Sequence, residues 1–358
     1  MAKGLSASRR EKIFAMIDEV FCMDTPAGED NRVRYLTSAI GAHDPSEPAY
    51  ILLCMNMAWT LWICPNNSSE LEHLCVARVV KAYRNGEIDD EWVDIGRGIG
   101  EYLTPLINFY IDNSDKSPKE IEDLFEYART LCGRGVFCER EWHELRAVYA
   151  ESKGDFDEAK NHRENFFASP RDENSDCEGC EFDRLIKGCL KRNDMEGALH
   201  YIDTIFDRKL KCDSDIPEKA RVQHALAAQF AGDDKGQPKK LERLLKKAAK
   251  NLYAQKNLIF EAAVFINAAL NLGKEVDAVN ALEMFRPIVN KHPYEIGSFQ
   301  FYLSAYFTAL KTNNQNDAGI WLDCAQKYAS QFDARNRNSY YKDCVEQALT
   351  GVRLWTVA

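Results

Sequence analysis

Three cysteines have the spacing of a metal site. Cys177 and Cys180 form a C-x-x-C pair, and Cys212 follows in the segment KCDSDIPE. Two thiolates three residues apart can bind one zinc ion, and a second arm can supply further ligands. That second arm holds a single cysteine and no histidine, so a fourth ligand would have to come from elsewhere, such as His162 or His224. The sequence leaves three interpretations open: a structural zinc site, a redox pair, or thiols that only pack.

No other residues stand in the order that catalysis requires. His143 and Glu144 begin a zinc-protease motif, but Ala147 occupies the place of its second histidine. The glycine-rich residues 96–100 lack the full G-x-G-x-x-G pattern and a preceding strand. No serine or cysteine stands in a nucleophile-elbow sequence. We therefore predict that the protein is not an enzyme.

Residues 238–250, PKKLERLLKKAAK, predict a basic amphipathic helix. Such a helix can bind nucleic acid or a membrane surface, or it can be an outer helix that packs inward on its leucines. The net charge of −10 over 358 residues argues against general binding to nucleic acid or anionic lipid. We favour the outer helix and predict no nucleic-acid partner.

The elements that position these side chains are predicted to be helices, because apolar residues recur at helical spacing and strand signals are scarce. A small turn is repeated at residues 154–159 (GDFDEA), 193–198 (NDMEGA), 273–278 (GKEVDA) and 313–318 (NNQNDA). Each copy separates two amphipathic stretches, which predicts a helical hairpin. Each copy also ends in an alanine, where we expect the second helix to press on the first. A period of about 40 residues is typical of stacked hairpins.

Residues 139–170 resemble a tetratricopeptide repeat, because Trp142, Leu145 and Tyr149 precede the turn and Pro170 follows the hairpin. The resemblance extends, with units longer than the usual ~34 residues, to residues 180–210, 260–290 and 299–330. The segment SPRDENSDCEGCE also resembles a turn of bacterial proteins of this repeat class. The resemblance implies an all-α fold, an α-solenoid of helical hairpins similar to tetratricopeptide repeats.

Three parts are predicted along the chain. They are an irregular helical N-terminal region (1–135), the repeats (136–335), and a capping helix with its tail (336–358). Within the first part we expect hairpins near residues 8–40, 49–83 and 98–132. Residues 49–64 are strongly apolar but shorter than the roughly 20 residues of a membrane span, so a buried helix is predicted. Twelve cysteines without a recognisable secretion signal favour the cytoplasm.

The resemblance also implies a groove lined by the first helix of each hairpin. Groove positions in such repeats lie one residue after the buried stripe. Transferred to this sequence, they are Lys187, Lys191, Asn267, Asn271, Leu303, Phe307 and Lys311, with Asp183, His143 and Ala147 in corresponding places. Asparagine can pair with both polar groups of an extended peptide backbone, lysine with carboxylates, and phenylalanine with an apolar side chain.

The expected function is therefore that of a cytoplasmic, non-enzymatic protein that binds a protein or peptide in this groove. It would act as a scaffold, an inhibitor or a regulator. One alternative is a peptide-sensing regulator in which the N-terminal 135 residues are the effector. Another is a zinc- or nucleic-acid-dependent binding protein. No cofactor is expected beyond a structural zinc ion.

Overall fold

A computed structural model describes residue 15 and residues 28–45, 47–63, 69–93, 98–172, 175–212, 216–254, 258–291 and 297–350. Throughout these residues the regular elements are helices, and the backbone bridges are limited to one isolated pair, Cys212 with Ile216. The all-α prediction is confirmed.

The helices follow one another along the chain with short connections. The first six are α1 (Gly28–Gly41), α2 (Pro48–Ile63), α3 (Ser69–Arg84), α4 (Asp90–Val93), α5 (Gly100–Asp112) and α6 (Pro118–Cys132). The next six are α7 (Glu139–Ser152), α8 (Phe156–Ala168), α9 (Glu178–Lys191), α10 (Met195–Asp207), α11 (Glu218–Phe230) and α12 (Pro238–Tyr253). The last five are α13 (Ile259–Asn271), α14 (Glu275–Lys291), α15 (Ser298–Lys311), α16 (Gln315–Asn336) and α17 (Tyr340–Leu349).

Contacts between Cα atoms divide the chain into two compact units. The N-terminal unit comprises Met1–Tyr110 with Asp123–Trp142, and the C-terminal unit comprises Ile111–Glu122 with His143–Ala358. The sequence prediction instead placed a boundary at residue 135. It also gave residues 336–358 a part of their own, whereas helix α17 belongs to the C-terminal unit.

In the N-terminal unit, helix α2 contacts both α1 and α3. Its side chains are buried on several faces, as at Ile51, Leu52 and Leu53. The polar side chains of Asn56 and Thr60 bond to carbonyls of their own helix, at 2.8 Å in each case. The prediction of a buried helix is confirmed, and none of the helices in the described ranges has the length and apolarity to span a membrane. The first part of the predicted 8–40 hairpin lies outside the described residues.

The repeated turn has one backbone conformation in all four copies. Its first residue adopts a left-handed conformation in each copy, with φ of 75° at Gly154, 61° at Asn193, 64° at Gly273 and 57° at Asn313. The next residue then donates its N–H to a carbonyl five residues earlier in the preceding helix, at 2.8–3.0 Å. Glycine and asparagine tolerate this conformation best, and the bond satisfies a carbonyl that the helix end leaves open. The turn recurs because it ends one helix and immediately starts another.

The residues after the left-handed position complete the hairpin. The side chains of Asp155, Asp194 and Asn314 cap the following helices by accepting a backbone N–H three residues ahead. The alanines that close the turns, Ala159, Ala198, Ala278 and Ala318, are at most 2% exposed. The prediction that these alanines lie where two helices press together is confirmed.

In the C-terminal unit, successive first helices of the hairpins contact one another in chain order. Helix α9 contacts α11, α11 contacts α13, and α13 contacts α15. Helix α13 lies deepest, since every residue from Ile259 to Leu270 is buried. The first helices therefore form a continuous row, and its third member, α13, is enclosed on all sides.

The end of the described chain returns to the first hairpin of this unit. The side-chain amides of Asn336 and Asn338 donate to the backbone carbonyls of Ser152 and Lys153, at 3.1 and 2.7 Å. The ring of Tyr340 packs edge-on against Phe156 in the same hairpin, with centroids 5.8 Å apart. Helix α17 is thereby fastened to the turn between α7 and α8.

Candidate metal centre and candidate binding surface

The three cysteines of the C-x-x-C pair and its second arm come together. The sulfurs of Cys177, Cys180 and Cys212 all lie within 4.8 Å of one another, and all three residues are partly exposed. The Sγ atoms of Cys180 and Cys212 are 3.5 Å apart. Within the described ranges the cluster contains no other His, Cys, Asp or Glu, so His162 and His224 do not join it.

Two short backbone features position the sulfurs. Cys177 is the N-cap of α9, and its sulfur accepts the backbone N–H of Cys180 at 3.4 Å. Cys212 is held after α10 by paired backbone bonds with Ile216, at 3.1 and 3.4 Å. Gly179 lies between the two arms, and a Cβ atom there would come within 3.0 Å of the Ile216 side chain. Glycine therefore lets the second arm approach the start of α9 closely.

The environment of Cys177 disfavours a reactive thiolate. Burial is the largest cause that raises the pKa of Cys177, and the nearby Cys212 sulfur adds to it. A redox-active cysteine instead requires a lowered pKa, because the thiolate is its nucleophile. Cys189, which the same helix carries, is buried in the apolar core and takes no part in the cluster.

The groove positions lie near a line of polar contacts between successive first helices, which we call the polar ladder. It is formed by four bonded pairs: Glu144 with Arg184 (2.8 Å), Asp183 with Gln223 (2.8 Å), Gln223 with Glu261 (3.2 Å), and Asn267 with Ser304. Apart from Arg184, these residues are almost completely buried. The ladder thus joins α7, α9, α11, α13 and α15 from within.

Lys187 is part of this ladder. Its ammonium group lies 2.9 Å from Asp183 and 3.0 Å from Glu261, which belong to helices α9 and α13. Burial acts to lower the pKa of Lys187, but the two carboxylates outweigh it, so its pKa is raised. Burial acts to raise the pKa of Asp183, but the attraction of Lys187 and Lys219 outweighs it, so the pKa of Asp183 is lowered. Lys187 is therefore charged and engaged within the chain.

Two predicted groove residues are not accessible. Asn267 is 3% exposed, and its amide donates to the Ala263 carbonyl at 2.9 Å and to Ser304. Leu303 is 2% exposed and belongs to the apolar core. The prediction that these two side chains face a partner is wrong, because α13 and α15 pack against each other where it placed a surface. Ala147, in a corresponding place on α7, is fully buried as well.

Lys191 lies one helical turn beyond Lys187 and has different neighbours. It borders a cavity together with Glu151, Gln300, Tyr328 and Tyr341. Burial is the largest effect on Lys191 and lowers its pKa, against the attraction of Glu151 and Asp112. No ion pair holds its ammonium group among the described residues.

The accessible part of the predicted groove lies at the ends of α13 and α15. Asn271 and Phe307 are partly exposed, and Lys311 is exposed. Residues three or four positions apart share one face of a helix. Asn271 therefore continues the face of Asn267, and Phe307 and Lys311 continue the face of Ser304. We call Asn271, Phe307 and Lys311 the terminal patch.

A histidine pair in the first hairpin was not predicted from the sequence. The Nδ1 atoms of His143 and His162 lie 3.0 Å apart, which joins α7 to α8. Burial, Arg146 and His143 together lower the pKa of His162 to about 4. His162 is therefore neutral near neutral pH. The two residues belong to different helices, so only the helix packing reveals their contact.

Helix α12 has the two faces that its sequence predicts. Leu241, Leu245, Ala248 and Leu252 are buried. Its basic side chains are exposed: Lys239, Lys240, Arg243, Lys246, Lys247 and Lys250. Lys240 pairs with Asp234 at 3.2 Å. The inward packing is confirmed, and the absence of a nucleic-acid partner stays a prediction.

Comparison with known proteins adds no further assignment. No family model, curated protein or solved structure matches the chain.

Proposed function

We propose that this chain is a non-enzymatic binding protein, built from helical hairpins that resemble tetratricopeptide repeats and stack as an α-solenoid. The observation that supports this proposal best is the row of first helices in chain order, with α9, α11, α13 and α15 each contacting the next. Stacked hairpins of this kind present one helix of each pair along a common surface.

The terminal patch is the part of that surface we propose for the partner. Asn271 carries an amide, a group that can pair with both the N–H and the carbonyl of an extended backbone. Phe307 offers an apolar anchor, and Lys311 offers a positive charge for a carboxylate. The ligand class that fits is an extended protein or peptide segment with an apolar side chain near an acidic group.

The test is affinity purification of partners with a matched pair of double variants. Phe307→Ala with Lys311→Ala alters the terminal patch. Ile320→Ala with Lys327→Ala removes one apolar residue and one lysine from α16, where both side chains are exposed. Circular dichroism verifies that both variants fold.

The expected result is a partner that the wild type and the α16 control recover and the terminal-patch variant does not. Calorimetry with the identified segment should then show an affinity loss of about thirtyfold to several hundredfold, since the two anchors together contribute roughly 2–4 kcal/mol. Equal recovery by a folded terminal-patch variant contradicts the proposal. Equal losses in both variants contradict it as well.

A further inference from the structure

Three thiols from two separate segments surround one point in the C-terminal unit. Cys177 and Cys180 come from the start of α9, whereas Cys212 lies 32 residues beyond Cys180, after α10. A tetrahedral zinc ion with Zn–S bonds of about 2.3 Å separates its sulfurs by roughly 3.8 Å. The observed separations, 3.5 Å for one pair and at most 4.8 Å for all, bracket that value.

We infer that Cys177, Cys180 and Cys212 bind one zinc ion that fastens the first turn of α9 to the segment after α10. The inference goes beyond the proposed binding function and does not depend on it. On binding, each thiol transfers its proton to solvent and donates a sulfur lone pair to Zn²⁺, so three protons are released per ion. No electron is transferred, and no oxidant is needed.

The backbone around the sulfurs fits a metal complex with net negative charge. Three thiolates on Zn²⁺ leave a charge of −1 at the N-terminus of α9, where the helix dipole favours negative charge. The N–H of Cys180 already points at the sulfur of Cys177. Bonds of this kind orient a ligand and are part of the design of metal sites.

The approach of the second arm depends on a residue that carries no ligand. Gly179 leaves room for Ile216, whose paired bonds hold Cys212 in place. An alanine at position 179 is favourable for the helix itself, but its Cβ atom would meet Ile216 at 3.0 Å. Gly179→Ala should therefore displace the arm and weaken zinc binding while α9 stays helical.

A disulfide is the competing use of these cysteines. It would join two sulfurs and leave the third thiol without a role, whereas zinc uses all three. The two outcomes differ in mass and in metal content. Oxidation removes two hydrogens from the chain and gives no zinc, and a reductant reverses it.

The experiment measures zinc in the full-length chain, purified with reductant, loaded with zinc and dialysed. Mass spectrometry of the metal should give about one zinc per chain for the wild type and for the control Cys324→Ser. Cys177→Ser and Cys212→Ser should give almost none. Cys212→His should retain the ion, because imidazole replaces thiolate in many zinc sites.

X-ray absorption on the wild type keeps the inference testable if the serine variants do not fold. We expect three sulfurs at about 2.3 Å and one lighter atom around the zinc. Gly179→Ala should weaken the affinity for zinc in competition with a chelator by tenfold or more. Four sulfurs, zinc retained by Cys212→Ser, or a zinc-free disulfide would each overturn the assignment.

Discussion

Replacing Lys187 by methionine tests whether the polar ladder holds the first helices together. The substitution keeps the length of the side chain and removes the charge that lies 2.9 Å from Asp183 and 3.0 Å from Glu261. These two carboxylates are 6% and 2% exposed, so water cannot replace the lost cation. The variant should therefore be clearly less stable than the wild type.

The size of the effect follows from the burial of the partners. Removing one member of a buried ion pair costs about 3–5 kcal/mol. The side chain of Lys187 is 21% exposed, and Gln223 still donates to both carboxylates, so we expect about 2–3 kcal/mol. For a unit of this size, that corresponds to a fall of roughly 4–12 °C in the melting temperature.

Lys191→Met is the matched control, one helical turn away. Burial already lowers the pKa of Lys191, and no described ion pair is lost, so its replacement should change stability by about 1 kcal/mol or less. Urea unfolding followed by circular dichroism measures both variants. Equal stability of Lys187→Met and the wild type, or an equal loss in both variants, would refute the role of the ladder.

The pH dependence provides a second check on the same pair. In the wild type the pKa of Asp183 is lowered, so its stabilising contribution is present above the unfolded pKa of about 3.9 and is lost as pH falls through the folded pKa. Without Lys187, Lys219 and Gln223 still oppose the effect of burial, but the protonated form of Asp183 becomes more favourable than in the wild type. The gap in stability between wild type and Lys187→Met should therefore narrow below about pH 4.

Further predictions concern the first hairpin and the repeated turns. The pKa of His162 falls to about 4 on folding, so the free energy of unfolding should be constant above the unfolded pKa of about 6.5. It should decline as pH falls from there, by about 1–2 kcal/mol at pH 4. Urea unfolding of His162→Gln should lack this dependence on pH. Gly154→Ala should lower stability by about 2 kcal/mol or more, because its φ is positive and its Cβ would meet the Tyr340 ring. Gly273→Ala should lower stability by only about 1 kcal/mol, the cost of a positive φ at alanine. Equal losses of stability in calorimetry would contradict the contact with α17. Ala198→Leu should lower stability by about 1–3 kcal/mol in urea, since the alanine is fully buried between helices, and an unchanged midpoint would contradict that packing.

Local features of this fold could be predicted from the sequence. Turn residues and the alanine after them are fixed by backbone conformation and by helix contact, both of which act within a few residues. Hence the positions of Gly154, Asn193, Ala159 and Ala198 follow from the sequence pattern alone. The cysteine cluster was also predictable as a set, because C-x-x-C has a recognisable spacing.

The groove was predicted less well because its accessibility depends on long-range packing. Transferring groove positions from a resemblance assumes that one face of each first helix stays open. In α13 the segment IFEAAVFINAALN is apolar almost all round, which is typical of a helix buried on every side. That signal was present in the sequence and identifies Asn267 as an interior residue.

The polar ladder has a weaker signal. Its bonded residues lie 37 to 40 positions apart, as with Asp183 and Gln223 or Asn267 and Ser304. A polar residue that recurs on an otherwise apolar stripe at the repeat period is the pattern that could have revealed it. The exact partners still depend on how neighbouring helices are offset, and a single sequence does not encode that offset locally.

The attachment of α17 to the first turn of the C-terminal unit limits how this architecture can change. An open array can gain or lose a hairpin at either end, because each layer touches only its neighbours. Here an inserted hairpin would carry Asn336 and Asn338 away from the carbonyls of Ser152 and Lys153. The number of hairpins is thus limited by these hydrogen bonds between distant segments. Local unfolding that starts at the C-terminus must first break them.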